Sequence, residues 1–255
     1  MIQSDLNFLE FWCKKNGLEF NIPKCKVLRF SRKLCSEHYN YTLSSIVLEN
    51  VTSFCDLGIT IDSKLSFTFH INNIVSKANK MLGLVKRTCS EFTNLRSFIV
   101  LFSSFVRSIL EYGVTIWSPY YKMHSQRIEK IQKKFVKFLC YKFNIFFNNY
   151  NYTMISYFGL TLLSKRRIMF DMCFVYKVLS GIVTCSNILI LFMIHVPSRQ
   201  VRNSHLLSIP YHRTLYAFQS PVSRLARLTL IYNEIEFVGI SYTRFKSSIH
   251  RKILI

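Results

Sequence analysis

Gly17 to Leu34 reads GLEFNIPKCKVLRFSRKL, and Val51 to Phe67 reads VTSFCDLGITIDSKLSF. In the first stretch Asn16-Gly17 marks a chain reversal, since both residues tolerate positive φ. Pro23 bars a regular helix. Lys26 to Phe30 alternates as a short strand, with Leu28 and Phe30 on one face and Val27 on the other. The second stretch is a strand, an Asp-Leu-Gly bend, a second strand and a polar exit. Gly58 interrupts its alternation, which predicts a bulge or a close backbone approach. Between the two, Tyr39–Leu43 and Ile46–Leu48 predict a hairpin around Ser44-Ser45.

Outward from this core the period changes. Residues 3–15 place Leu6, Leu9 and Cys13 on one helical face, with Ser4 as the expected N-cap. From Ser66, the residues Ile71, Ile74, Val75, Ala78, Met81, Leu82 and Val85 follow helical spacing. Lys77, Lys80 and Arg87 lie off that stripe. A second helix is predicted from Asn94 to Leu110, apolar on most of its surface and therefore central. Tyr112 to Pro119 breaks it. A third runs from about His124 to Tyr141, with Ile128, Ile131, Phe135, Phe138 and Leu139 inward. Lys130, Lys133, Lys134 and Lys137 form a separate basic stripe on it. Asn144–Tyr152 is expected to connect to a fourth helix, 162–180, ended by Gly181. One or two more helices are expected in 211–255. The expected fold class is α+β, mostly α: a small antiparallel sheet with one helix, then a helical region.

Charge narrows the partners. The 255 residues carry 34 Lys and Arg against 13 acids, a formal net charge of +21. From Lys130 to Asn233, fourteen Lys and Arg face one acid, Asp171. This balance argues for a polyanion. Half the residues are hydrophobic, which excludes a wholly disordered chain. The eight cysteines form no C-x-x-C pair and no zinc spacing, so they are read as reduced thiols of an intracellular protein, nuclear or cytoplasmic. The most apolar run, Ile188–Val196, has nine residues, short of the ~20 a bilayer crossing needs. The seven His are scattered, and no G-x-G-x-x-G or P-loop occurs.

Four segments together resemble the C-terminal half of a non-LTR (LINE-type, jockey-like) retrotransposon reverse transcriptase, in that family's order. They are SDLNFLEFWCKKNGLEFNIPKCK, CDLGITIDSKLSFTFHINNIVSKANKMLGLVKRTC, FVRSILEYGVTIWSPY and SKRRIMFDMCFVYKVLSG. The likeness is most specific over the first 140 residues and looser after Gly181. It implies three regions: the end of the palm (1–65), a helical thumb (66–150) and a helical C-terminal extension (151–255). It implies that Lys24 lies near the triphosphate of the incoming nucleotide, where a cation steadies the leaving pyrophosphate. It also implies that Leu57 and Gly58 belong to the hairpin that holds the primer end.

In the family, paired aspartates including Tyr-x-Asp-Asp hold two Mg²⁺ ions. They and the fingers precede the region matched here, and no Asp-Asp pair occurs in this chain. Asp56 and Asp62 do not match the metal-binding acids. The resemblance therefore implies a polymerase part without chemistry of its own, with no catalytic residue, metal ligand or cofactor in this chain. Its expected partners are an RNA template, an RNA–DNA or DNA duplex, and the missing fingers and palm. The expected phosphate contacts are Lys77, Lys80, Lys86, Arg87, Lys130, Lys133, Lys134 and Lys137. Tyr120, Tyr121 and Tyr141 are either base-stacking or core residues. The rival readings are a stand-alone basic nucleic-acid-binding module, or a truncated relic with exposed apolar surface.

Overall fold

The first helix, α1 (Ile2–Lys15), starts one turn earlier than Ser4 would place it; Met1 occupies the N-cap position and Ser4 lies inside the helix. Its end follows the sequence: Asn16 caps it, and Gly17 turns with φ +67° while the Leu18 amide donates to the Cys13 carbonyl at 2.9 Å. The computed structural model containing it describes residues 1–32, 39–146, 152–194, 206–209 and 211–254. The chain separates into two compact units, Met1–Asn73 and Ile74–Ile255.

In the first unit, a 3₁₀ turn (Ile22–Lys24) leads into β1 (Lys26–Leu28). Five short strands follow: β2 (Thr42–Leu43), β3 (Ile46–Val47), β4 (Glu49–Val51), β5 (Ser53–Asp56) and β6 (Ile59–Asp62). Strands β2 and β3 form the expected hairpin, with Ser44 and Ser45 both at positive φ, the signature of a two-residue type I′ turn. Strands β5 and β6 form a second antiparallel hairpin. A third ladder differs from the antiparallel expectation: β1 runs parallel to β4, pairing Lys26 with Glu49 and Leu28 with Val51. Gly58 is not a bulge inside a strand. With Leu57 it makes the two-residue turn between β5 and β6, at φ +83° and +45°. Helix α1 is tied to the β2–β3 hairpin by polar side chains. Gln3 exchanges two 2.9 Å hydrogen bonds with the Thr42 backbone, and Glu10 accepts from the Ser44 amide and hydroxyl. None of its residues is buried, and Phe8, Phe11 and Trp12 are exposed.

Helix α2 (Thr68–Thr88) carries the predicted apolar stripe. Ile71, Ile74, Ala78, Leu82 and Val85 are buried at intervals of three and four, Val75 and Met81 are half-buried beside them, and Cys89, just past the helix, is buried too. Its entry is set by Asp62, whose buried carboxylate accepts from the Lys64, Ser66 and Phe67 amides and the Ser66 hydroxyl.

In the second unit, Asn94 caps a helical run by accepting from the Arg96 amide at 2.9 Å. The run comprises α3 (Leu95–Leu101), a widened π segment (Phe102–Arg107) and α4 (Ser108–Glu111). Phe98, Phe102, Val106 and Leu110 are its buried residues, each four apart. An ordinary helix turns about 40° past a full circle every four residues, so this stripe would drift by about 120°. The wider turn takes up the drift and keeps all four side chains inward. Gly113 (φ +60°) then turns the chain into α5 (Val114–Trp117), and the Trp117 indole donates to the Tyr112 carbonyl.

Helix α6 (Lys122–Lys142) stacks Phe135 flat on Phe102, with centroids 4.1 Å apart. After α7 (Tyr152–Tyr157), α8 (Leu163–Leu179) ends before Gly181 as expected. The apolar 188–194 run includes most of a short helix, α9 (Ser186–Leu191). After the short α10 (Leu215–Phe218), helices α11 (Pro221–Ile231) and α12 (Tyr242–Ile249) close a second core against α8. That core centres on Met172, Val175, Tyr176, Leu225, Phe245 and Ile249. Arg224 on α11 pairs with Asp171 on α8 and donates to the Thr115 carbonyl. Burial pushes the Asp171 carboxyl up from its ordinary range even beside that guanidinium. Among the described residues no helix is long and apolar enough to cross a membrane.

Candidate nucleic-acid interface

The positive charge is concentrated in one unit. Residues 74–255 hold 26 of the 34 Lys and Arg but only 6 of the 13 acids. Within that unit α2 and α6 lie side by side and run in the same direction. Lys134 donates to Asn79 at 3.0 Å, the Lys86 ammonium sits 5.0 Å from the Phe138 ring centre, and Lys142 donates to the Ser90 carbonyl. Each contact pairs a later residue of one helix with a later residue of the other. The α3–α4 run packs antiparallel on α6, with Phe98 against Phe138 and Phe143.

The inward face of α6 is Ile128, Ile131, Phe135, Val136 and Leu139, so its basic stripe is forced outward. Lys130, Lys133, Lys134 and Lys137 line one groove of about 490 Å³, together with Gln126, Glu129 and Leu162. Lys130 and Lys137 are two turns apart, about 10 Å along the axis. Lys86 on α2 does not line the groove but lies near it: burial lowers its pKa first, and the nearby Lys134 charge lowers it further. Ammonium groups gathered along one helix face repel one another, and an anion that enters relieves that repulsion.

Glu129 is the acid in the groove wall, and the fold has committed it elsewhere. Its carboxylate accepts from the Ser164 amide at 2.6 Å and the Leu163 amide at 3.3 Å, capping the start of α8. The other acid of the α4–α6 region, Glu111, is held by one edge of the Arg166 guanidinium, with Nε donating to one carboxylate oxygen and Nη2 to the other. These partners lie 35 and 55 residues apart in the chain, and no local spacing announces them.

The remaining expected contacts are arranged differently. Lys77, Lys80 and Arg87 are exposed on α2 but do not line the groove. Tyr141, 86% exposed, continues the Lys130–Lys134–Lys137 line one turn further along α6, so it is a surface ring and not a core one. Tyr120 and Tyr121 lie against each other at 4.0 Å. Lys24 is exposed at the end of the 3₁₀ turn of the first unit. Leu57, 83% exposed, and Gly58 form the tip of the β5–β6 hairpin there.

No metal centre assembles among the described residues. Asp62 is used up by the amides before α2, which leaves it no free lone pairs for a cation. The described cysteines are free thiols, and Cys35 lies outside the described residues, as do His38, His195 and His205. His212 meets the buried Ser223 hydroxyl at 2.7 Å, and among the described residues no carboxylate bonds to that imidazole. The pair joins the start of α11 to the segment before α10.

No family model matches the chain, and no solved structure matches it. It is similar to an uncharacterized protein of Caenorhabditis elegans, at 31% identity over 83 residues. That similarity covers 32% of this chain and 39% of the other protein's length.

Proposed function

We propose that the chain is the palm-end, thumb and C-terminal part of a retrotransposon RNA-directed DNA polymerase, and that it grips the phosphate backbone of a template–primer duplex. The observation that carries this reading is the α6 groove, lined by four lysines while its one acid is bonded to the start of α8. Such a surface holds phosphates irrespective of sequence, as a thumb must. The four-segment resemblance supports the assignment to this polymerase class. On this reading Tyr141, beyond the last lysine, stacks on a base or sugar. Leu57 and Gly58 hold the primer end, and Lys24 lies near the triphosphate. The exposed Phe8, Phe11 and Trp12 of α1 are the surface on which the rest of a palm packs. Mg²⁺ and its aspartates belong to that remainder.

The direct test is the transcript sequence upstream of the Met1 codon. An open frame carrying Tyr-x-Asp-Asp supports the polymerase reading. A stop codon or unrelated sequence there removes it and leaves a basic nucleic-acid-binding module, which the same groove would still serve.

A further inference from the structure

A second cavity, of about 390 Å³, opens where α8, α12 and the turn after α4 meet. Met169, Phe170, Cys173 and Phe174 of α8, with Val114, supply an apolar body. Two ammonium groups flank it, Lys177 from α8 and Lys246 from α12. Lys177 lies 5.3 Å from the centre of the Tyr242 ring, and Tyr242 and Cys173 both line the cavity. The acid in its wall, Glu111, is engaged by Arg166. An apolar pocket of this size with a few convergent polar groups is the ordinary form of a small-molecule site.

We propose that this cavity binds an amphipathic small anion, a carboxylate with an aliphatic body, whose chain lies on Phe170 and Phe174 and whose head meets Lys177 and Lys246. The charge on its rim selects the sign of the head group, and the α8 side chains select an apolar tail. A strongly hydrated polyanion does not fit, because Met169, Phe170 and Phe174 offer no hydrogen bonds in return. The site is independent of the lysine groove on α6, since no residue is shared between the two linings.

Cys173 makes the cavity readable. In a tryptic digest it lies in Ile168–Lys177 as the sole cysteine of that peptide. The full chain is alkylated with iodoacetamide at mildly alkaline pH, with and without sub-micellar decanoate, and labelling is followed by mass spectrometry. Cys55, exposed on β5, is the internal reference. At ten times its Kd, decanoate slows Cys173 labelling about tenfold by mass action and leaves Cys55 unchanged. Decanol, the neutral chain, protects with about fivefold weaker affinity, and Lys246→Gln weakens decanoate to a similar extent. Lys246 is exposed, so this variant folds. Equal protection by decanol and decanoate overturns the anion assignment. No protection by either, or a Cys173 that never labels, overturns the site.

Discussion

Replacing Asp62 with Ala removes one carboxylate and strands a whole turn. Its two oxygens accept from the Lys64 amide at 3.0 Å, the Ser66 amide and hydroxyl at 3.1 Å, and the Phe67 amide at 2.8 Å. Hydrogen bonds to a charged group contribute about 1.5–3 kcal/mol each, and water can replace only part of them at a residue this buried. Two bonds removed outright give about 3–6 kcal/mol. The turn also holds Leu65 at φ +51° and Phe67 at φ +55°, left-handed conformations that cost a bulky residue about 1–3 kcal/mol each. Opening the turn releases that strain, so the net loss settles nearer ~2–3 kcal/mol. The assay is amide hydrogen exchange. Protection of Ser66, Phe67 and the first turn of α2 falls by about two factors of ten, at about 1.4 kcal/mol per factor. Unchanged protection at Ser66 and Phe67 in the Ala variant would refute the reasoning.

Other perturbations test other parts of the account. Phe102→Ala unstacks Phe135 and empties the centre of the second unit; it costs about 3–5 kcal/mol, read as a lower urea midpoint with Trp117 as the sole tryptophan in a Trp12→Phe background. Leu57→Gly relaxes an exposed residue at φ +45° and raises hairpin stability by about 1 kcal/mol, while on the polymerase reading it weakens primer-end positioning; exchange protection of β5 and β6 checks the first effect. Lys14 and the Ser44 amide hold the Glu10 carboxyl below its usual range. A depressed folded pKa stabilises above the unfolded value and stops doing so as pH falls through the folded one, so the α1–Ser44 contact loosens on acidification below about 4.5, followed by the Ser44 amide shift. Glu129→Gln removes the one negative charge of the groove wall, and therefore tightens duplex binding while costing about 1 kcal/mol at the α8 cap.

Helices whose faces repeat locally could be read from the sequence. The stripes of α2 and α6 state which residues go inward, and the basic line of α6 follows because it is the face left over. The Ser44-Ser45 hairpin and the Gly17 and Gly181 stops also follow from residue chemistry. What escaped depends on pairings distant in the chain. The parallel β1–β4 ladder joins residues 23 apart, and nothing in either strand declares its partner. Gly58 reads as a bulge until Leu57 is seen to take positive φ, an unusual role for an apolar residue. The i, i+4 stripe from Phe98 to Leu110 hinted at the π segment through a spacing slightly longer than a helical turn. Glu129 looks like one more surface acid; only the fold turns it toward the start of α8. The Cys173 cavity needs α8 and α12 together, and these meet across about 70 residues of sequence.

The central claim is that the α6 groove holds phosphates. Duplex affinity is measured by fluorescence anisotropy across a salt series for the wild type and for Lys130, Lys133, Lys134 and Lys137 all changed to Gln. A control variant changes four exposed cations that do not line the groove, Arg96, Lys122, Arg213 and Arg251, to Gln, so that both variants give up the same charge. The account predicts that the slope of log K against log salt flattens by about 0.9 for each phosphate the groove variant no longer neutralises, and by less in the control. A groove variant with the wild-type slope, or one matched by the control, would contradict it.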